Sequence, residues 1–435
     1  MESHLPADSV NLPPAPEAGL PRVGPGARAR AESGPGLYVH VPFCAARCGY
    51  CDFSSGALSA AAVDRYLDAL EREIERRAPS VASLEFRSVF FGGGTPSALP
   101  ARHFERIVAA LRARFVIHPR AEFTVEVNPE NAGERMMAAW RGAGVNRLSF
   151  GVQSFHDHEL KALGRLHDSE RPALAFARAR RAGFERLSLD LMFGFPGQTL
   201  SSWSRTLDRA LELEPEHLSA YAFLVEPGTP LGNRVLRGEL EPLGAALEAD
   251  AYALLSERAE RAGWGCYETS NFSRPDAESR HNLGYWLRRP YLGLGPSAHG
   301  LLEGERYANH WSPDRWAESL ERGLDPEAER EVETPESRAS EVVMLALRLG
   351  TGMVAADYPP EAWSDVLRTR GSALDAAVRA GRLERREEGF RIRPEHRFVA
   401  DDVIAWIESR AVRFDSRPVG PIIPSPCPDP RSQAA

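Results

Sequence analysis

YVHVPFCAARCGYC, residues 38–51, sets the reading of the whole chain. Tyr38 to Phe43 is an apolar run of strand length. It passes directly into Cys44, Cys48 and Cys51, a C-x3-C-x2-C spacing. Three thiols on one short loop after a strand indicate a metal site. A disulfide framework would need more cysteines, spread over a shorter chain. Of the other two, Cys266 reads as a buried apolar residue, and Cys427 lies in a tail where it is expected to ligate nothing. A tight thiol cluster belongs in a reducing compartment, and the N-terminus has no apolar signal core, so the expected location is cytoplasmic.

Structural zinc takes four ligands, usually in two separated pairs, and no second pair follows here. Three thiolates suit three irons of a cubane [4Fe-4S] cluster, leaving the fourth iron without a protein donor. S-adenosylmethionine (SAM) can chelate that iron through its amino and carboxylate groups. An electron from the cluster then breaks the sulfonium bond and releases a 5′-deoxyadenosyl radical.

The 435 residues are enough for an α/β barrel and a smaller appendage. A formal net charge of -8 argues against a nucleic-acid partner, which would show as a basic stripe. Basic residues are almost all arginine over the whole chain, which reads as coding bias. No run is long enough to span a bilayer, which leaves peripheral membrane association open.

Residues 1–35 and 412–435, rich in Pro, Ala and Gly, read as disordered tails. Candidate strands are 37–43, 88–94, 122–127, 147–153, 186–194 and 218–226, alternating with helical patterns at 59–76, 101–115, 132–143, 168–182 and 200–213. In the first helix Val63, Tyr66, Leu67, Leu70 and Ile74 share a face, with Ser59 as N-cap. Six strand–helix repeats predict an α/β fold: a partial (β/α)6 barrel over 36–230 with its site at the C-terminal strand ends. Residues 231–332 read as an extension, with a helix over 245–262 and loop-rich structure over 263–330. Residues 333–411 read as a small winged-helix-like domain with a hairpin around Glu388-Gly389 and a last helix over 400–411.

The cysteine motif, its lead-in and the further motifs GGGTP (92–96), TVEVNPE (124–130), SFGVQSF (149–155), LGRLHD (163–168) and LSLDLMFGFPGQT (187–199) carry a family resemblance. The chain resembles the radical SAM superfamily and, within it, the oxygen-independent coproporphyrinogen III oxidase-like group, from about Leu37 to residue 410. The resemblance implies the [4Fe-4S] cluster on Cys44, Cys48 and Cys51. It implies SAM contacts at Tyr38, Gly93, Gly94, Thr95, Glu126, Gln153, Arg165, Asp190 and, more remotely, Ala222. Those roles suit the residue types. Glycine lets backbone approach a ligand, carboxylates accept from ribose hydroxyls, and Arg165 can pair with a carboxylate.

Two departures separate the chain from the oxidase of that group. The oxidase carries another cysteine two residues after the third cluster cysteine, where Phe53 stands here, and it has an N-terminal region unlike this Pro-rich tail. The segment HNLGYW (281–286) instead resembles the HNxxYW signature of the HemW-like heme chaperones. That implies heme as ligand, with His281, Tyr285 and Trp286 at its site and His40 or His299 as alternative axial ligands. The implied partners are heme, an acceptor protein and an electron donor. A radical enzyme acting on a tetrapyrrole, by oxidative decarboxylation or heme modification, is the competing expectation.

Overall fold

The structure is a computed structural model that describes residues 32–412. The two predicted tails and Cys427 lie almost wholly outside the described residues. Six parallel strands form the centre: β1 Gly36–Val41, β2 Glu85–Gly93, β3 Val116–Val127, β4 Arg147–Gln153, β5 Arg186–Phe193 and β6 His217–Ala222. They lie side by side in sequence order. The crossovers run through α1 Ala60–Arg77, α2 Ala101–Arg114, α3 Glu134–Gly142, α4 Asp157–Leu163, α5 Arg171–Arg181 and α6 Leu200–Glu212. Leu37, Val39, Phe91, Val125, Leu148, Phe150 and Leu189 are fully buried in the core of this layer. Burial of each such side chain contributes about 1.5–3 kcal/mol.

The first helix forms as its pattern predicts. Ser59 accepts from the Ala62 amide at 3.2 Å, and Val63, Tyr66, Leu67, Leu70 and Ile74 are all buried. Two boundaries differ from expectation. β3 begins at Val116, earlier than its apolar run, and the sixth strand stops at Ala222 rather than residue 226. There the chain leaves the sheet, with Phe223 donating to the Phe193 carbonyl at 2.7 Å.

The barrel stays open because both its edges are taken. Beyond β6 lie β8 Asn271–Ser273 and then β7 Gly265–Glu268. Beyond β1 lie β9 Tyr291–Leu294, β10 His299–Leu302, β11 Glu305–Asn309 and β12 Glu327–Val332, giving a 12-stranded sheet. Only β9 among these runs parallel to its neighbour, with Gly293 opposite Tyr38. Loop-rich structure over 263–330 is therefore corrected. The segment supplies short strands, too brief to leave a period in sequence, that lengthen the sheet at both ends. It also holds α9 Arg280–Trp286 and α10 Pro313–Glu321, after α7 Pro230–Leu236 and α8 Ala245–Arg261. The outermost strand, β12, reads EAEREV, and all but its first residue are exposed.

Buried Glu73 of α1 fastens this extension to the barrel. It accepts from the Gly295 amide at 2.8 Å, Asn309 Nδ2 at 2.7 Å and Trp316 Nε1 at 3.1 Å. After it, α11 Pro335–Ala346, α12 Pro360–Arg379 and α13 Ala400–Glu408 pack with a three-stranded antiparallel sheet of β13 Met353–Val354, β14 Leu383–Arg386 and β15 Gly389–Ile392. Val342, Val366, Leu374, Leu383, Phe390 and Ile407 form a separate apolar core there. Among the described residues, no helix is long and apolar enough to cross a membrane.

Candidate functional site

Tyr38, Phe90, Glu126, Gly151, Asp190 and Tyr221 are half-buried on the central strands. They line the lumen of the open barrel. Tyr38 Cε2 and Glu126 Oε2 both come within about 3.2 Å of the place a Cβ on Gly92 would take. Burial, with Asp190 close by, pushes the Glu126 carboxyl up to about 8, against a hydrogen bond from the Gly93 amide. Burial likewise raises Asp190 to about 6, although Ser149 Oγ donates to it at 2.9 Å. Two carboxyl groups held in one polar cavity are suited to accept from ligand hydroxyls.

Cys44, Cys48 and Cys51 follow β1 on a half-buried loop and are all free thiols. The loop is pinned by Gly49, which donates to the Leu163 carbonyl at 3.0 Å and accepts from the Leu231 amide at 2.7 Å. Burial, with Cys48 and Cys44 near, pushes the Cys51 thiol up to about 11. Binding a metal centre would offset that by stabilising the thiolate. Among the described residues no three His, Cys, Asp or Glu side chains stand ready to hold a metal ion.

A hydrogen-bonded arc links two of the thiols. Thr95 Oγ1 donates to Cys44 Sγ at 3.4 Å, and Asn128 Nδ2 donates to Thr95 Oγ1 at 3.3 Å. Arg165 Nη2 donates to Asn128 Oδ1 and to the Gly151 carbonyl, both at 2.7 Å, while its Nη1 reaches Cys48 Sγ at 3.5 Å. Gln153 completes the group. A register shift in β4 and a φ of 67° bring its side-chain nitrogen close over Gly151. Arg165 Nε and Gln153 Oε1 are buried with no protein partner. An orphan donor and an orphan acceptor beside the thiols fit the carboxylate and ammonium of SAM. The GGGTP turn is locked against the thiol lead-in: Gly94 donates to Val41 at 2.9 Å, and a Cβ there would lie 2.8 Å from the Phe43 carbonyl.

The structure thus brings Tyr38, Gly93, Gly94, Thr95, Glu126, Gln153, Arg165, Asp190 and Ala222 to the same open end as the cysteines. Sequence reasoning passed over Asn128, although it sits inside the quoted TVEVNPE. An amide that must both donate and accept was the available signal. It also missed Tyr221, whose inward direction follows only from strand register.

The HNxxYW segment lies at the opposite end. His281 is buried, with Nδ1 on Ser88 Oγ at 2.8 Å and Nε2 on Tyr285 OH at 2.8 Å. His217 repeats the arrangement with Ser188 Oγ and Tyr267 OH, each at 2.7 Å. These two Ser–His–Tyr chains seal the barrel floor. Burial holds both imidazoles neutral, lowering His281 to about 3. In this conformation the residues of the expected heme site are engaged within the protein. His281 has both ring nitrogens engaged, and Trp286 packs with Tyr267, Leu283, Leu287 and Leu349. His40 is also buried, with its ring between the Ser54 carbonyl at 2.9 Å and Tyr38 OH at 3.1 Å, whereas His299 is exposed.

The radical SAM superfamily model matches residues 38–210. The chain is 38% identical over 320 residues to the heme chaperone HemW of Bacillus subtilis (strain 168), covering 73% of this chain and 84% of that one. It is 39% identical over 321 residues to the heme chaperone HemW of Mycobacterium tuberculosis (strain ATCC 25618 / H37Rv), covering 73% and 82%. The solved structure of coproporphyrinogen III oxidase (HemN) from Escherichia coli superposes with a TM-score of 0.76 over 88% of this chain and 92% of that one, at 24% identity. Membership implies a [4Fe-4S] cluster and SAM, and the thiols and orphan polar atoms above fit both. The chain belongs to the family of the HemW proteins and carries the radical SAM superfamily's domain over residues 38–210.

Proposed function

We propose that this protein binds heme and hands it to an acceptor protein, carrying on Cys44, Cys48 and Cys51 a [4Fe-4S] cluster with exchangeable SAM. The observation that carries the reading is the match to chains named heme chaperones over more than four-fifths of their length. Phe53 in place of the oxidase's further cysteine supports it. When bound, the cluster and SAM supply one-electron chemistry. The chain's own residues bind and orient: Arg165 and Gln153 hold the amino-acid end of SAM, and Glu126 and Asp190 take its hydroxyls. Heme ligation by His281 requires Tyr285 to release Nε2 and α9 to lift from the floor. The reading keeps the protein in the cytoplasm, where the thiols stay reduced, and requires an electron donor.

Anaerobic reconstitution followed by heme titration tests this. One Soret-active heme per chain is expected, with no decarboxylation of coproporphyrinogen III. Decarboxylated product would move the assignment to the second reading, a radical enzyme acting on a tetrapyrrole. The intact lumen with Glu126, Asp190 and Arg165 favours that reading over a dead site. An unchanged Soret band in His281→Ala would remove His281 from the heme site.

A further inference from the structure

At the closed end, below the floor and away from the thiols, lies a second cavity of about 360 Å³. It opens between the N-terminal ends of the central strands. Five guanidinium groups line it, those of Arg87, Arg120, Arg141, Arg186 and Arg280, against three carboxylates, Glu32, Glu122 and Glu185. Arg87 is paired with Glu85 at 3.0 Å, so the positive excess of the cavity, in a chain whose net charge is -8, rests on Arg120 and Arg141. Part of the negative charge is already spent inside the wall. Buried Glu122 lies 3.3 Å from Arg186 and also accepts from the His281 amide at 3.2 Å, and Glu32 pairs with Arg280. Arg186 is held below its ordinary value by burial and by Arg147 and Arg280, against the pull of Glu122. Arg120 and Arg141 are exposed at the mouth. Planar guanidinium groups lining one cavity can recognise carboxylates through paired, charge-assisted hydrogen bonds.

The cavity touches the HNxxYW helix at two points. Arg280 immediately precedes His281, and Glu122 lines the cavity while accepting from the His281 backbone. Resting on the heme reading above, we infer that this arginine-lined cavity seats the two propionate carboxylates of heme, next to the helix that carries His281. The SAM lumen and the heme anchor then occupy opposite ends of one barrel, with the Ser–His–Tyr floor between them.

The test compares ferric heme with heme dimethyl ester, whose propionates are uncharged, on the reconstituted full chain. Soret titrations are run for wild type and for an Arg120→Glu, Arg141→Glu double variant, both positions being exposed. Wild type is expected to bind the free acid about tenfold or more tighter than the ester. The double variant is expected to lose that preference while binding the ester as wild type does and keeping its far-ultraviolet spectrum. Equal affinity of wild type for acid and ester, or an undiminished preference in the variant, overturns the cavity assignment and leaves heme binding standing. Absence of any Soret band with wild type overturns both.

Discussion

Arg165 and Asn128 meet at 2.7 Å, midway along an arc that starts at the thiol of Cys44 and ends at that of Cys48. A buried guanidinium so placed is aimed by its acceptor. Replacing Asn128 by Ala strips one charge-assisted bond and leaves Arg165 aimed only by the Gly151 carbonyl and Cys48. SAM affinity of the reconstituted protein is expected to fall about tenfold, since such bonds are worth about 1.5–3 kcal/mol. Iron content should stay unchanged. Calorimetric titration of SAM checks it, and wild-type affinity in Asn128→Ala would show that the arc does not position the ligand.

The floor should resist heme. Tyr285→Phe removes the group that occupies His281 Nε2. Thermal unfolding is expected to shift down by the equivalent of about 1–3 kcal/mol, the cost of an unsatisfied buried group. Heme should bind several-fold more tightly, because iron no longer competes with a phenol. Weaker heme binding would place the axial ligand elsewhere, with exposed His299 the next residue to substitute.

His281 also predicts a pH dependence. Its ordinary value is 6.5 and burial lowers it to about 3 in the folded chain. The unfolded chain therefore binds a proton that the folded chain refuses. The contribution of His281 is fully present above pH 6.5 and is lost as pH falls toward 3. The slope reaches about 1.4 kcal/mol per pH unit for one proton. Urea unfolding of wild type and His281→Asn between pH 7 and 4.5 measures it. The stability gap between them should narrow as pH falls, and a constant gap would contradict the neutral buried imidazole.

Glu73→Ala should cost about 3–5 kcal/mol, because it leaves three donors without their buried acceptor and removes the carboxylate 3.8 Å from Arg77. Glu73→Gln should cost less, since burial already pushes this carboxyl up to about 7 and the amide keeps one acceptor oxygen. Calorimetric unfolding would rank them. Equal losses would mean that charge, rather than acceptance, is what counts at Glu73.

The thiol loop and the lumen residues were legible in sequence because each sits in or just after a strand, where a motif and a period of two coincide. Glu126 and Asp190 face inward for that reason. His281 was legible as a residue of interest but not as a floor residue. Tyr285 lies one helical turn along, but Ser88 meets His281 only because a helix of the extension packs against the sheet, which no local pattern encodes. The short strands β7 to β12 were unreadable for a similar reason. Three to six residues hold too few alternations to separate a strand from a loop, and tertiary pairing decides. The arginine cavity was hidden within a general excess of arginine over lysine.

A sheet this wide ends in open backbone, and open backbone invites a neighbour. At β12 the rim carries Glu329, Arg330 and Glu331, all exposed to solvent. A second copy approaching to add a strand would bring like charges together before any ladder bond could form. The border that lengthens the barrel wall thus also protects the molecule from growing into a fibre.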